Sequence, residues 1–493
     1  MTIFRIFALF FALTFISACS TKKGSPDISS NKVVPSTQQI LYQQMEMVGF
    51  IHFSINTFTN KEWGYGDEDE QLFNPTELDV DQWVQVAKSC GIKELILTAK
   101  HHDGFCLWPS QYTDHSIKNS RYKNGNGDIV REFVDACRKH ELKIGLYLSP
   151  WDRNHKDYGN QTYITYYRNQ LKELLTKYGE INEIWFDGAN GGDGFYGGAN
   201  ETRKIDNKTY YYWDGTIKLV KELQPNILIF SDSGPDIRWV GNENGSAGET
   251  FWSTINRHKI SIGASDVNYL NIGEPKGSHW VIGQCDVSIR PGWFYHEAED
   301  TLVKTPQELV DIYYKSVGRN AVFLLNLPPD KTGEIHPNDV KVLQEFKKII
   351  DETFKVNLAS NAECNADNYR LNNEMFSPDH IIDDDPESYW ATDDGIKSAE
   401  LIIELNDKTD FDRILIQEPI KFGQRISKFE VQIDNQNSWE TVFEGTTIGY
   451  KRLIRINPVS VSKIKLKIIE ANNIPAISNF GLFKSSEKKK AIL

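Results

Sequence analysis

Between residues 49 and 328 the chain repeats one alternation. Short apolar runs, "GFIHFSIN" (49–56), "KELILTAK" (93–100), "KIGLYLSP" (143–150), "EIWFDGA" (183–189), "NILIFSD" (226–232) and "AVFLLNLP" (321–328), are separated by amphipathic stretches. Those stretches include "DVDQWVQVAKSCG" (79–91), "DIVREFVDACRKHE" (128–141) and "ITYYRNQLKELLTKYG" (164–179), the last with apolar residues at helical spacing and a glycine stop. Strands that alternate with helices pair in parallel, and runs apolar on both faces are covered on both sides. The pattern predicts an α/β fold, a (β/α)8-type barrel, with an open doubly wound sheet as its competitor. Residues 245–320 show no clear strands, so the count of eight is inferred.

After the helix-like stretch 339–354 the texture changes. From Val356 onward the runs are short, alternating and rich in Val, Ile and Phe, as in "ELIIEL", "RILIQE", "FEVQID" and "KIKLKII". No helix-length segment interrupts them, which predicts an all-β sandwich over 355–493, following a barrel over 44–354. At the other end, residues 1–19 carry one Arg and an apolar run too short and too early to span a membrane, so they read as an export signal. "ISAC" (16–19) resembles the lipobox of bacterial lipoproteins. That likeness implies a lipidated Cys19 and a protein anchored in the bacterial envelope, facing the periplasm; an ordinary cleaved signal is the alternative. Residues 20–43 are polar and contain Pro and Ser, as expected of a linker.

Composition narrows the partners. A net charge of −13 argues against nucleic acid, and neither a phosphate loop, a dinucleotide fingerprint nor zinc-like Cys/His spacing is present. The five cysteines after Cys19 are scattered and odd in number, so they imply no disulfide framework. Twelve Trp with 21 Tyr and 26 Phe suit rings laid against sugars, although most such rings pack cores.

In a barrel of this kind chemistry belongs at the C-terminal ends of the strands. The first run delivers His52 and leads to Glu62 and Trp63 in "NKEWGYGD"; the second ends on His101 and His102; the third brings Tyr147, Trp151 and Asp152. The fourth stops on Asp187, followed by the glycines of "DGANGGDG", and the fifth leads into "SDSGPDIRWVGNENG". One aspartate after a strand usually caps a turn. Histidines, tryptophans and carboxylates converging on one rim point instead to a site. A metal-dependent hydrolase is one reading, but the first strand offers His-Phe-Ser where His-x-His is expected. Imidazoles, indoles and carboxylates without a basic cluster suit a polyhydroxylated substrate, and two carboxylates can split a glycosidic bond. Asp232 and Asp236 read as turn-forming. Glu243 and Glu249 remain as candidates for the acid/base, Glu249 as the runner-up. Trp239 and Val240 beside Glu243 are suited to desolvating it, which keeps a carboxyl protonated.

The segments "HFSINTF", "EWGYGD", "TAKHHDGFCLWPS", "LYLSPWD", "WFDGA", "GPDIRWVGNE" and "LLNLPPDKTGEI" together resemble the family 29 glycoside hydrolases, retaining α-L-fucosidases, over about residues 44–350. The resemblance implies Asp187 as nucleophile and Glu243 as acid/base. His52, His101 and His102 would bind fucose hydroxyls, Glu62 and Trp63 would close the other side, and Tyr147 or Trp151 would line the pocket. Arg238 would hold the site near the acid/base, and Trp293 would add aromatic surface or pack in the core. It implies that catalysis requires no cofactor or metal, and "GPDIRWVGNE" is similar to the branch acting on α1,3/α1,4-linked fucose in oligosaccharides or glycoconjugates. A non-catalytic fucose- or glycan-binding lipoprotein is the alternative function.

The tail, with "NLASNA" (357–362), "IIDDDPESYWAT" (381–392) and "ISNFGLFK" (477–484), resembles discoidin-like (factor 5/8 C-type) modules. These bind sugar or brace a neighbour. They often hold a structural calcium near the loop matching "DDDPESYW", although this chain has Asn479 where that family commonly supplies Glu.

Overall fold

The computed structural model describes residues 28–187, 194–196, 201–263, 266–436 and 438–486. Eight parallel strands form a closed barrel: β1 (Met47–Ile51), β2 (Glu94–Lys100), β3 (Lys143–Leu148), β4 (Glu183–Trp185), β5 (Leu228–Ser231), β6 (Ile237–Trp239), β7 (Ile282–Ser288) and β8 (Val322–Asn326). Each pairs with its neighbour in this order, and β8 closes on β1 with Met47 opposite Phe323. Closure excludes the open doubly wound sheet and leaves no strand edge exposed.

The helices outside follow from the same pattern. In the helix Ile129–Lys139, the Asp128 carboxylate accepts the Arg131 N–H at 2.9 Å, a cap that contributes about 1 kcal/mol. Ile129, Val130, Phe133, Val134 and Cys137 then fall on one buried face. Each large side chain so buried contributes about 1.5–3 kcal/mol.

The two strands that the sequence did not reveal are β6 and β7. Only residues 232–236 link β5 to β6, with no helix between them. Asp236 closes that turn, its carboxylate accepting from the Ile229 N–H at 2.9 Å and pairing with Lys221 at 2.8 Å. After β6 the chain makes a long excursion, 240–281, with a short helix Val267–Ile272 and a two-stranded ribbon, before returning as β7.

The linker expectation for 20–43 needs correction over its second half. Residues 37–43 form a helix opened by a capping box at Ser36, and it packs beneath the barrel. Gln39 donates to the carbonyls of Asp236 and Trp280, and the Tyr42 hydroxyl lies against Gln284 in the barrel floor. Its polar composition masked this, because here Gln39 and Tyr42 are buried with hydrogen-bond partners in the barrel floor.

The C-terminal unit is an antiparallel β domain around its own apolar core. Its two longest strands, β9 (Ala399–Gln417) and β10 (Arg452–Ala471), pair with each other. The start of β10 runs against the barrel: Leu453 N–H donates to Gly318 at 3.0 Å, and Asn320 N–H donates to Lys451 at 3.1 Å. Tyr450 and Lys451 both reach the Glu46 carboxylate.

Candidate active site

Asp187 stands two residues beyond the end of β4, where the floor beneath it is a stack of rings. Trp185 lies flat on Phe230, centroids 3.8 Å apart, and parallel to Tyr147 at 5.5 Å. The buried Tyr147 donates its hydroxyl to Asp187 Oδ2 at 3.0 Å. Burial, and then the charge of Asp187, hold that phenol well above its ordinary value, so it remains a donor. The residues that follow, 188–193, lie outside the described residues.

Three imidazoles face the same pocket. His52 Nδ1 donates to Asn326 Oδ1 at 2.9 Å, which leaves Nε2 as an acceptor. His102 Nδ1 lies 2.7 Å from Ser149 Oγ, which also donates to the Trp151 carbonyl, and its Nε2 lies 3.5 Å from Asp187 Oδ2. His101 Nδ1 lies 3.4 Å from the Asn56 amide nitrogen. Burial pushes His52 and His102 down to about 3, and His101 well below its usual range. Neutral imidazoles offering both a donor and acceptors match the hydroxyls of a sugar. His101, His102 and Asp187 also bring three potential metal-ligand atoms within 4.8 Å of one another.

The loop after β1 forms one wall. Glu68 clips it, accepting from the N–H groups of Tyr65 and Gly66 at 2.7 and 2.8 Å and from Lys61. Gly64 must be glycine, since a Cβ there would lie 2.8 Å from both Asn56 Oδ1 and Asp103 Cβ. The clip presents Trp63, 59% exposed, edge-on to Trp151 and His102. Tyr147 and Trp151 both stand beside His102, with ring centroids 6.4 and 4.9 Å away. Glu62 also ties two loops together. Its carboxylate accepts from the N–H groups of Trp293 and Phe294 at 2.9 and 3.3 Å and meets His296 at 2.6 Å, so it fixes the loop after β7.

Trp293 in turn donates its indole N–H to Glu243 Oε2 at 3.1 Å. Glu243 reaches solvent at the pocket mouth, yet the surrounding loops strip enough water to raise its carboxyl. The charges of Asp187 and Glu62 add to that rise, against the lowering effect of the indole. The structure does not bring Arg238 or Glu249 to this group. Arg238, wholly buried, donates to the carbonyls of Leu270, Val281 and Trp252, bracing the excursion between β6 and β7. Glu249 turns away and pairs with Arg319 and with Arg452 of the C-terminal domain. A carboxyl that sequence reasoning missed is Asp286 on β7. Burial first, then the charges of Glu243 and Asp187, raise it far above the ordinary carboxylate range. Its signal was hidden inside "IGQCDVS", where polar residues point into the barrel.

In the C-terminal domain, the Asp383 carboxylate accepts from Ser388 Oγ and the Asp385 N–H and pairs with His380 at 2.8 Å. No three His, Cys, Asp or Glu ligand atoms gather at that loop among the described residues.

The comparisons fit this geometry. An α-L-fucosidase family model matches residues 34–352, and an F5/8 type C domain model matches residues 360–480. The chain is 43% identical to α-L-fucosidase 1 of Arabidopsis thaliana over 97% of its own length and 93% of that protein's. A crystal structure described as a putative α-L-fucosidase from Bacteroides thetaiotaomicron is 41% identical, with a TM-score of 0.86 over 93% of this chain and 99% of that one. A Ruminococcus gnavus GH29 fucosidase in complex with fucose is 34% identical, with a TM-score of 0.84 over 94% of this chain and 98% of that one. A barrel rim of neutral imidazoles, a strand-end aspartate and a raised glutamate, matched along nearly the whole chain, places it in one family: the chain belongs to the α-L-fucosidases, glycoside hydrolases that here carry a C-terminal F5/8 type C domain.

Proposed function

We propose that the enzyme is a retaining exo-α-L-fucosidase that releases terminal α1,3- or α1,4-linked fucose from glycans by double displacement, without a metal. The observation that carries this reading is the pairing of unlike carboxyls around one pocket. Asp187 is oriented by a phenol, while Glu243 is raised by burial and by the charge of Asp187. In the first step an Asp187 oxygen bonds to the anomeric carbon as the bond to the leaving oxygen breaks, and the Glu243 proton passes to that oxygen. In the second, Glu243 takes a proton from water, whose oxygen displaces Asp187. The histidines and Trp63 hold the sugar. The linkage reading is supported by the likeness of residues 234–243 to the branch described above. The chain is proposed to divide into a catalytic unit over 44–354 and a discoidin-like unit over 355–493.

The test follows turnover of a panel of defined fucosylated oligosaccharides by proton NMR. Retention predicts α-fucose as the first-formed anomer, with α1,3- and α1,4-linked substrates cleaved fastest; β-fucose appearing first would overturn the mechanism. The three ligand atoms of His101, His102 and Asp187 favour one second reading, a metal-dependent hydrolase. Loss of turnover on chelation, restored by a divalent ion at unchanged thermal stability, would replace the first reading by that one.

A calcium ion in the C-terminal domain remains a proposal from the sequence likeness. A calcium-dependent thermal midpoint would support it, while an unchanged midpoint would leave Asp383 to its turn and His380. We also propose that Cys19 carries a lipid and holds the enzyme on the envelope, facing the periplasm. Residues 1–27 lie outside the described residues, and no helix among those described is long and apolar enough to cross a membrane. Cys19→Ala should move the protein to the soluble fraction, because a lipid chain contributes about 0.8 kcal/mol per buried CH2. Equal membrane partitioning of variant and parent would remove this reading.

A further inference from the structure

The loop carrying Glu243 has little regular structure of its own. It turns at Gly241 and Gly245, both with positive φ, so its anchors set where the carboxyl stands. On the barrel side, Asn271 donates to the carbonyls of Val240 and Ser246 at 2.9 and 3.2 Å, and Ala247 N–H donates to Lys315 at 2.9 Å.

The far end is held by the C-terminal domain. Arg452, at the first position of β10 and 2% exposed, donates one nitrogen to the Glu249 carboxylate and another to the Glu249 carbonyl at 2.9 Å. Arg319 binds the other Glu249 oxygen at 2.6 Å and also donates to the Ala247 carbonyl at 2.9 Å, four residues from Glu243. Arg319 and Arg452 are themselves opposite one another across an antiparallel bridge between the two domains. The next residues continue the clamp. Thr250 Oγ1 donates to Thr446 Oγ1 at 2.8 Å, and Phe251 N–H donates to Thr447 Oγ1 at 3.0 Å.

We infer that Arg452 is a positioning residue for the general acid: through Glu249 and Arg319 it fixes the end of the loop from which Glu243 reaches the pocket. The C-terminal domain is then part of the apparatus that protonates the leaving group. Glu249 is bound into that apparatus without touching the sugar. The inference rests on the assignment of Glu243 as acid/base. Its physical basis is that proton transfer depends on placement, and a misplacement of about 1 Å can cost as much as 10²-fold in rate. Burial lowers the Arg452 guanidinium to about 10, as expected of a cation taken out of water where the two domains meet.

The experiment compares two substrates in each variant: a natural fucosyl disaccharide, whose leaving oxygen needs a proton, and α-L-fucosyl fluoride, whose leaving group does not. Arg452→Met should lose about 10- to 100-fold in kcat/KM on the disaccharide and under about 3-fold on the fluoride. Arg452→Lys should recover part of the difference. Lys451→Met is the control: it breaks the neighbouring contact of the same interface with Glu46, away from the loop, and should leave the ratio between substrates unchanged. Should Arg452→Met fail to fold, Glu249→Gln removes the charge from the loop side and should shift the ratio in the same direction. Equal losses on both substrates, or a ratio no different from Lys451→Met, would overturn the inference. Glu243→Ala, measured alongside, separates the two claims. If it shows the selective loss and Arg452→Met does not, the brace alone fails; if it shows none, the acid assignment fails and the brace with it.

Discussion

The indole N–H of Trp293 donates to the Glu243 carboxylate at 3.1 Å. This single contact opposes every other influence on that group, since burial and the charges of Asp187 and Glu62 all favour the protonated form. A hydrogen bond to the charged form lowers a pKa, so its removal must raise it. Trp293→Phe keeps the ring and loses the donor. Glu243 then holds its proton to higher pH, and the alkaline limb of the kcat/KM profile should move upward. A limb that stays in place, or moves down, would separate Glu243 from the acid role.

Asp187→Gly should leave the fold intact and reduce turnover of natural substrates by several orders of magnitude, because the covalent step is lost. Azide is small enough to occupy the space left by the carboxylate, and its attack should yield β-fucosyl azide with part of the rate restored. A variant with near-parental turnover, or rescue giving the α-azide, would sink the nucleophile assignment.

Arg238 and the pocket can be told apart by what Arg238→Met does. Three backbone carbonyls lose their common donor, and each buried acceptor left unpaired typically costs about 1–3 kcal/mol. The thermal midpoint should fall steeply, while KM of the protein that remains folded stays near the parental value. A large rise in KM at unchanged stability would return Arg238 to the substrate.

What could be read from the sequence depended on which way side chains point. The runs of β1 to β5 and β8 are apolar on both faces and announce themselves as barrel strands. The segments "IRW" and "IGQCDVS" do not, because Arg238 feeds surrounding carbonyls and because Gln284 and Asp286 are polar groups buried in the barrel. His52, His101, His102 and Asp187 were legible since strands end on them. The choice between Glu243 and Glu249, six residues apart on one irregular loop, has no periodicity to settle it. A residue two hundred positions later, Arg452, draws Glu249 away. The same holds for Ser149 and Asn326, whose service to His102 and His52 is a matter of facing geometry alone.

The barrel floor carries a second pair of carboxyls with a different consequence. Glu94 and Glu183 are wholly buried, and neither Glu94 oxygen has a hydrogen-bond partner. Burial raises Glu94 to about 8 despite the nearby Lys143, and burial with the charge of Glu94 raises Glu183 well above its ordinary value. In the unfolded chain a glutamate titrates near 4.3. Between about pH 4.3 and 8, therefore, the folded protein binds a proton at Glu94 that the unfolded chain has released, and stability must fall as pH rises. Below that window the contribution is complete, and above it the loss is complete. The slope for one such group is about 1.4 kcal/mol per pH unit. Glu94→Gln keeps the shape and cannot titrate, so urea unfolding of this variant should show a shallower decline between pH 5 and 8 than the parent. Parallel declines in the two proteins would mean that Glu94 is ionised in the fold and that its charge is met by Lys143.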